Sequence, residues 1–294
     1  MKVAFLSAYK PQQRWSTPLS LIREFESRGY NVEVFTTMEN DRYTDKNLDA
    51  LVEYNPNLLI HTDWGRFLFP TLEKLNKITG FKVMEGGDEP QNFERNISKA
   101  KYFDLIYTPD HSSSLRYKQQ GHNAIWETHF ADTRIHFPKE VEEKYIAVCS
   151  RGKNGGADLI DTLEQHYGSN VILNQNGWEA EKHSDFLCSG QMVLQQSRWK
   201  EITRRIFEAM ACNRLVITDR LPEETNINSL FVEGENIVYY DSLEDLAQKI
   251  AYYSENKEER DRIANNGYQK VIQNHTQVQR VDVIIEEYNN FKKY

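Results

Sequence analysis

A chain of 294 residues is long enough for two domains, each with a core of its own. Its 36 Lys and Arg against 44 Asp and Glu give a net charge of −8, which argues against a globally basic nucleic-acid or membrane-surface binder and leaves room only for a local basic patch. Three widely separated cysteines, Cys149, Cys188 and Cys212, point away from a disulfide framework or a CxxC metal site and towards a reducing, cytoplasmic setting; no apolar run nears the roughly 20 residues of a membrane helix.

Along the first half two periodicities alternate. Residues 2–7 read as a short buried strand, which fits the N-terminus better than a signal peptide does. Ser16 or Thr17 can cap a helix with Pro18 in its first turn, Leu19, Ile22 and Phe25 on one face, and Gly29 at its end. Strands are expected at 31–36, 57–61, 81–84, 103–107 and 123–126, and helices at 48–54, 71–78, 91–100 and 112–120. Strand and helix in strict alternation imply βαβ units and a parallel sheet.

The rhythm breaks around Pro138 and the charged run that follows, read as a linker over 138–144. It then restarts, with strands at 145–150, 170–174, 191–195, 215–219 and 236–240 and helices at 157–166, 199–212 and 242–253. From 257 the chain reads as helix to its end, with a break near His275. Two successive halves of this kind suggest two doubly wound domains, whose ligands sit at the carboxyl ends of the strands.

The stretch 199–219 carries the most chemistry. Ile202, Ile206, Ala209 and Met210 form an apolar stripe, while Glu201, Arg205, Glu208 and Cys212 share another face. A cation and a carboxylate one turn apart suit a sugar nucleotide, the arginine neutralising a diphosphate and the glutamate accepting from ribose hydroxyls. The same spacing also makes an ordinary surface ion pair.

This stretch and its continuation, FEAMACNRLVITD and then LFVEGENIVYYD, EERDRIANNG and HTQVQR, resemble the C-terminal half of GT-B glycosyltransferases, most nearly the CgeB-like, spore-maturation-type group. The resemblance covers roughly 205–280, with Asn213 where that group usually has glycine, a position asparagine can fill in a left-handed turn. A weaker similarity to the phage DNA β-glucosyltransferases lies in the order Arg205, Ile206, Phe207, Glu208 and in an Asp-bearing loop.

The resemblance implies a GT-B fold: two Rossmann-like domains, an acceptor-side domain at 1–137 and a nucleotide-sugar domain at 145–275, with a cleft between them and a C-terminal helix, 276–294, packing back on the first. Arg205 would contact the donor diphosphate and Glu208 the ribose. Arg151 and Lys153, in a Gly-rich loop after a strand, would add phosphate contacts, although an Asn-Gly-Gly turn with solvated charges reads equally well. Asn176, Gly177 and Trp178 would lie by the nucleobase, and Glu223 and Glu224 by the donor sugar, or else cap a short helix. Asp88, after a strand ending in Gly86 and Gly87, is the candidate general base; its competing role is to cap the following helix. Arg14, Trp15, Trp64, Arg66 and His111 are expected on the acceptor side.

The expected activity is metal-independent transfer of a sugar, with inversion favoured, from a nucleotide-diphosphate donor, UDP first. The acceptor hydroxyl belongs to a glycan or cell-surface polymer, a protein, a small molecule or a hydroxylated base in phage DNA. No cofactor is expected beyond the donor substrate, and no membrane span. A sugar-nucleotide epimerase and a non-catalytic sugar-nucleotide-binding protein are the alternatives. The sequence lacks Asp-x-Asp, a G-x-S-x-G elbow, a Walker A loop and a G-x-G-x-x-G fingerprint, and no His/Cys cluster with ligand spacing stands out in it.

Overall fold

The computed structural model describes the chain except residues 8–15, 37, 40–41, 44–45, 63–71, 150–162, 164, 166, 174–179, 198 and 294. The chain divides into two compact units, one of Met1–Thr128 with Gln277–Tyr294 and one of His129–Thr276.

The first unit holds a six-stranded sheet. Its strands are β1 (Lys2–Ser7), β2 (Asn31–Thr36), β5 (Leu58–His61), β6 (Phe81–Glu85), β7 (Leu105–Thr108) and β8 (Ala124–Trp126), in the order β2-β1-β5-β6-β7-β8 and parallel throughout. Two-residue strands β3 (Met38–Glu39) and β4 (Arg42–Tyr43) form a separate hairpin. The central strands are apolar on both faces because helices cover both. Helix α1 (Thr17–Ser27) starts as its residues dictate: the Ser16 hydroxyl accepts from the Leu19 N–H at 3.3 Å, and Pro18 sits in the first turn. Helices α2 (Lys46–Tyr54), α3 (Phe93–Ala100) and α4 (His111–Gln119) add to the helical layers, and 73–77 is a 3₁₀ turn where the sequence predicts a full helix.

The second unit repeats the plan with β9 (Tyr145–Cys149), β10 (Val171–Leu173), β11 (Gly190–Gln195), β12 (Leu215–Asp219) and β13 (Val238–Tyr240), all parallel in the order β10-β9-β11-β12-β13. Its helices among the described residues are α5 (Ala180–Cys188), α6 (Arg204–Ala211), the short α7 (Ile227–Leu230), α8 (Leu243–Glu255) and α9 (Lys257–Asn274). The last helix, α10 (Gln277–Phe291), belongs to the first unit, where Arg28 reaches Asp282 at 2.6 Å and Tyr288 and Phe291 pack on Phe81.

Three further expectations differ from what is observed. The stretch 129–144 is part of the second unit rather than a first-domain tail and a linker. It is fixed there by the Ala131 N–H on the His275 carbonyl (3.0 Å), by Lys139 on Asp185 (2.6 Å) and by Glu143 on Arg260 (2.7 Å). Helix α6 begins at Arg204, not at 199, because Lys200 adopts φ +55° and the Ser197 N–H is taken by Asp219 at 2.8 Å. Glu201 therefore lies outside the helix on which it was grouped with Arg205. Helix α5 was not expected at all.

Candidate functional site

In the second unit, β11 and β12 end side by side and their carboxyl edge is organised by Asp219. One Asp219 oxygen accepts from the Ser197 N–H at 2.8 Å and the other from Lys200 Nζ at 2.7 Å. Glu201 N–H then donates to the Ser197 hydroxyl at 2.7 Å, a tight loop that delivers the chain to the start of α6. The first turn of α6 carries Arg204 and Arg205, both half-buried, at a helix N-terminus whose cap residue, Thr203, makes no side-chain hydrogen bond to it. Cations and amides converging at a sheet's carboxyl edge make a place for an anion.

Glu208, one turn further on, is 1% exposed, so the carboxylate expected to face a ribose is turned inward. Arg204 Nε lies 2.8 Å from its Oε1, and His183 Nδ1 lies 4.0 Å from its Oε2. His183 in turn meets His136, whose Nε2 is 3.1 Å from His183 Nδ1. Burial alone would push the Glu208 pKa up, but Arg204, then His136, His183 and Arg205, outweigh it and hold the pKa at about 2. Burial drives the His136 pKa down to about 4 and also lowers that of His183, so both rings are neutral near pH 7. Arg205 acts electrostatically on Glu208, His183 and the buried Cys149 thiol, whose pKa burial raises to about 12. The residues that fit a metal ion among those described are thus His136, His183 and Glu208, with donor atoms all within 4.8 Å of one another. Sequence reading missed this cluster, for its members stand 47 and 25 positions apart and share no local motif.

Glu223 and Glu224 are exposed in a 3₁₀ turn after β12, where Asn226 turns left-handed at φ +57°. Arg220 beside them is bound to Asp241 at 2.7 Å and Glu233 at 3.1 Å.

In the first unit, Asp88 is exposed just past the carboxyl end of β6, with φ +52°. The α3 N-cap is Asn92, so Asp88 does not cap that helix. The neighbouring Glu89 is a second residue that sequence reading missed. Its buried carboxylate accepts from Tyr117 Oη (2.6 Å), Thr108 Oγ1 (2.5 Å) and Asn96 Nδ2 (2.9 Å), and Asn96 also donates to the Gly87 carbonyl (3.0 Å). A side chain at Gly86 would strike this carboxylate, its Cβ falling 2.7 Å from a Glu89 oxygen, so any other residue there has to push the carboxylate off its three donors. Burial raises the Glu89 pKa against the pull of these three hydrogen bonds. His111 opens α4 and packs edge-on against Trp126 at 4.9 Å. Arg14, Trp15, Trp64, Arg66, Arg151, Lys153, Asn176, Gly177 and Trp178 lie outside the described residues. No described helix is long and apolar enough to cross a membrane.

The family profile described as "Glycosyl transferase-like" matches residues 151–286, which include α6 and its two arginines. No curated protein matches the sequence. Among solved structures, the chain resembles HepE of Anabaena in complex with UDP and glucose, at 15% identity over 99% of this chain and 100% of that one, with a TM-score of 0.70. It also resembles sucrose-phosphate synthase of Thermosynechococcus elongatus, at 10% identity over 99% of this chain and 98% of that one, with a TM-score of 0.65. The chain thus has the two-sheet α/β architecture of the GT-B fold and carries a glycosyl transferase-like segment over residues 151–286.

Proposed function

We propose that this chain is a glycosyltransferase of the CgeB-like kind. It takes a sugar from a nucleotide-diphosphate donor, UDP before other nucleotides, and delivers it to an acceptor hydroxyl with no metal at the reacting centre. The observation that carries this reading is the first turn of α6: Arg205 and the positive end of the helix stand at the carboxyl edge of the second sheet, inside the glycosyl transferase-like segment. The fold similarity to HepE, solved with UDP and with UDP-glucose, supports the choice of nucleotide.

In the transition state the bond from the anomeric carbon to the diphosphate oxygen breaks and negative charge grows on the leaving diphosphate. Arg205, the α6 amides and the loop residues Arg151 and Lys153 would stabilise that charge. Asp88 would take the proton of the acceptor hydroxyl as its oxygen bonds to the anomeric carbon, which favours inversion. Glu223 and Glu224 would bind donor-sugar hydroxyls, and Asn176, Gly177 and Trp178 the base. Arg14, Trp15, Trp64, Arg66 and His111 would meet the acceptor. Glu208 is not assigned to the ribose, since Arg204 and the histidine pair engage its carboxylate. A net charge of −8 favours a glycan or cell-surface polymer over DNA as acceptor.

Thermal shift with UDP, TDP, GDP, CDP and their sugar conjugates is the first test, followed by assay of transfer. UDP and one UDP-sugar should raise the melting temperature. Arg205→Ala should weaken that binding by about 1.5–3 kcal/mol, and Asp88→Asn should keep the binding and lose transfer. A chain that shifts with no nucleotide is not a transferase, and one that interconverts two UDP-sugars without releasing UDP is an epimerase.

A further inference from the structure

We propose that His136, His183 and Glu208 form a buried structural site for a transition-metal ion of the Zn²⁺ class. The three side chains are 0–1% exposed. They come from three separate pieces of the second unit: the stretch ahead of β9, helix α5 and helix α6. His136 Nε2 and His183 Nδ1 face each other at 3.1 Å, and Glu208 Oε2 lies 4.0 Å from His183 Nδ1. Ligands of a tetrahedral Zn²⁺, at roughly 2.0–2.2 Å from the ion, stand roughly 3.3–3.5 Å apart, so a set whose donor atoms lie within 4.8 Å of one another closes on one centre by side-chain adjustment of about an ångström.

The chemistry of the set selects the ion. Two imidazoles and one carboxylate suit Zn²⁺, Co²⁺ or Ni²⁺, whereas Mg²⁺ and Ca²⁺ want an all-oxygen shell. Metal-binding imidazoles must be neutral, and burial keeps these two so near pH 7. The Glu208 carboxylate is divided between two tasks. Its Oε1 holds Arg204 at 2.8 Å, while Oε2 is the oxygen nearer His183. An ion-paired partner behind a ligating carboxylate helps to fix its orientation. The Arg204 charge also opposes a dication, so the affinity is well below that of a zinc finger.

Burial keeps the ion from any substrate. Its work would be to clamp the stretch before β9 onto α5 and α6, so it is compatible with metal-free transfer and independent of the function proposed above. The test is titration of the chelator-treated full chain with Co²⁺ and Zn²⁺. Expected are the visible bands of four-coordinate Co²⁺ at one equivalent, displaced by Zn²⁺, with half-saturation below roughly 100 µM. His136→Gln and His183→Gln should each abolish the bands, and His122→Gln, in the first unit, should keep them. Absence of the bands in the wild type, or their survival in both variants, overturns the proposal. If the variants fail to fold, the wild-type melt decides: Zn²⁺ but not Mg²⁺ should raise it, and equal melts in both overturn the site.

Discussion

Glu89 and Glu208 are buried carboxylates, one in each unit, and their surroundings treat them in opposite ways. Glu89 sits among neutral donors: an amide, a hydroxyl and a phenol. Burial dominates there and its pKa rises. Glu208 sits beside a guanidinium with a second one near, and its pKa falls to about 2. Equal burial thus gives opposite protonation behaviour, and the sign is set by whether the partners carry charge. The neutral network holds a turn in shape, the turn that puts Asp88 outside. The charged one ties a helix end down and keeps a permanent anion inside the unit.

The largest effect should come from breaking the charged hub. Glu208→Ala leaves the Arg204 guanidinium, 16% exposed, without its counter-charge. That should cost about 3–5 kcal/mol in urea unfolding. If the loss is under 1 kcal/mol, Arg204 has found another partner and the contrast between the hubs is weaker than drawn.

Acid should separate the two hubs by sign, in protein kept metal-free with a chelator. The Glu208 pKa is depressed from 4.5 to about 2, so its stabilisation is present above pH 4.5 and is lost as pH falls towards 2. That window holds about 3 kcal/mol. His136, neutral when folded, adds a loss that begins as pH falls through 6.5 and ends near 4. Glu89 has a raised pKa, so its contribution runs the other way: it is present below pH 4.5 and is lost as pH rises through its folded value. Hydrogen exchange followed from pH 7 to pH 3 should show amides of the second unit losing protection before those around Glu89. Equal loss in both would remove the distinction.

Cutting the neutral hub should cost less. Glu89→Ala strands Tyr117 and Thr108, which lie at 0% exposure, and frees one donor of Asn96. A stability loss of about 2 kcal/mol is expected, with Glu89→Gln recovering about half, since its carbonyl still accepts. Should Glu89→Gln fall as far as Glu89→Ala, the charge of Glu89 matters and the hub is not neutral.

The two regions were not equally legible in the sequence. Strands such as 2–7 and 215–219 show themselves as short apolar runs, because a parallel sheet buried on both faces needs them. Helix α5 escaped, although its buried positions 180, 183, 184, 186, 187 and 188 keep a helical spacing. They are Ala, His, Ser, Phe, Leu and Cys, so the stripe opens with two polar residues among its first three. The polar members were the clue, since His183 belongs to the hub. The false start of α6 at 199 has a similar cause: Ile202 continues the stripe, and nothing local announces a left-handed Lys200. Arg205 and Asp88 could be picked out as exposed or half-exposed charges at strand ends. The inward turn of Glu208 could not, because it depends on residues 25 and 72 positions away that only the fold brings to it.

The smallest expected effect concerns a turn that the two units solve with different residues. Helix α1 ends with Gly29 at φ +76°, where the Gly29 N–H meets the Glu26 carbonyl (2.9 Å) and the Tyr30 N–H meets that of Phe25 (3.2 Å). Helix α6 ends with Asn213 at φ +55°, and the same pair of bonds runs from Asn213 to Met210 (2.9 Å) and from Arg214 to Ala209 (3.2 Å). Both are Schellman ends, which glycine enters without a Cβ penalty and asparagine at a small one. Asn213 also buries a side-chain oxygen with no hydrogen-bond partner among the described residues. Asn213→Gly should therefore stabilise by about 0.5–1 kcal/mol. The reverse exchange, Gly29→Asn, should cost about half as much, because an added Cβ meets nothing within 4 Å and only the backbone preference is lost. Urea melts of the two single variants measure both signs at once. If Asn213→Gly destabilises instead, the Asn213 side chain holds the turn before β12 and the two ends are not equivalent.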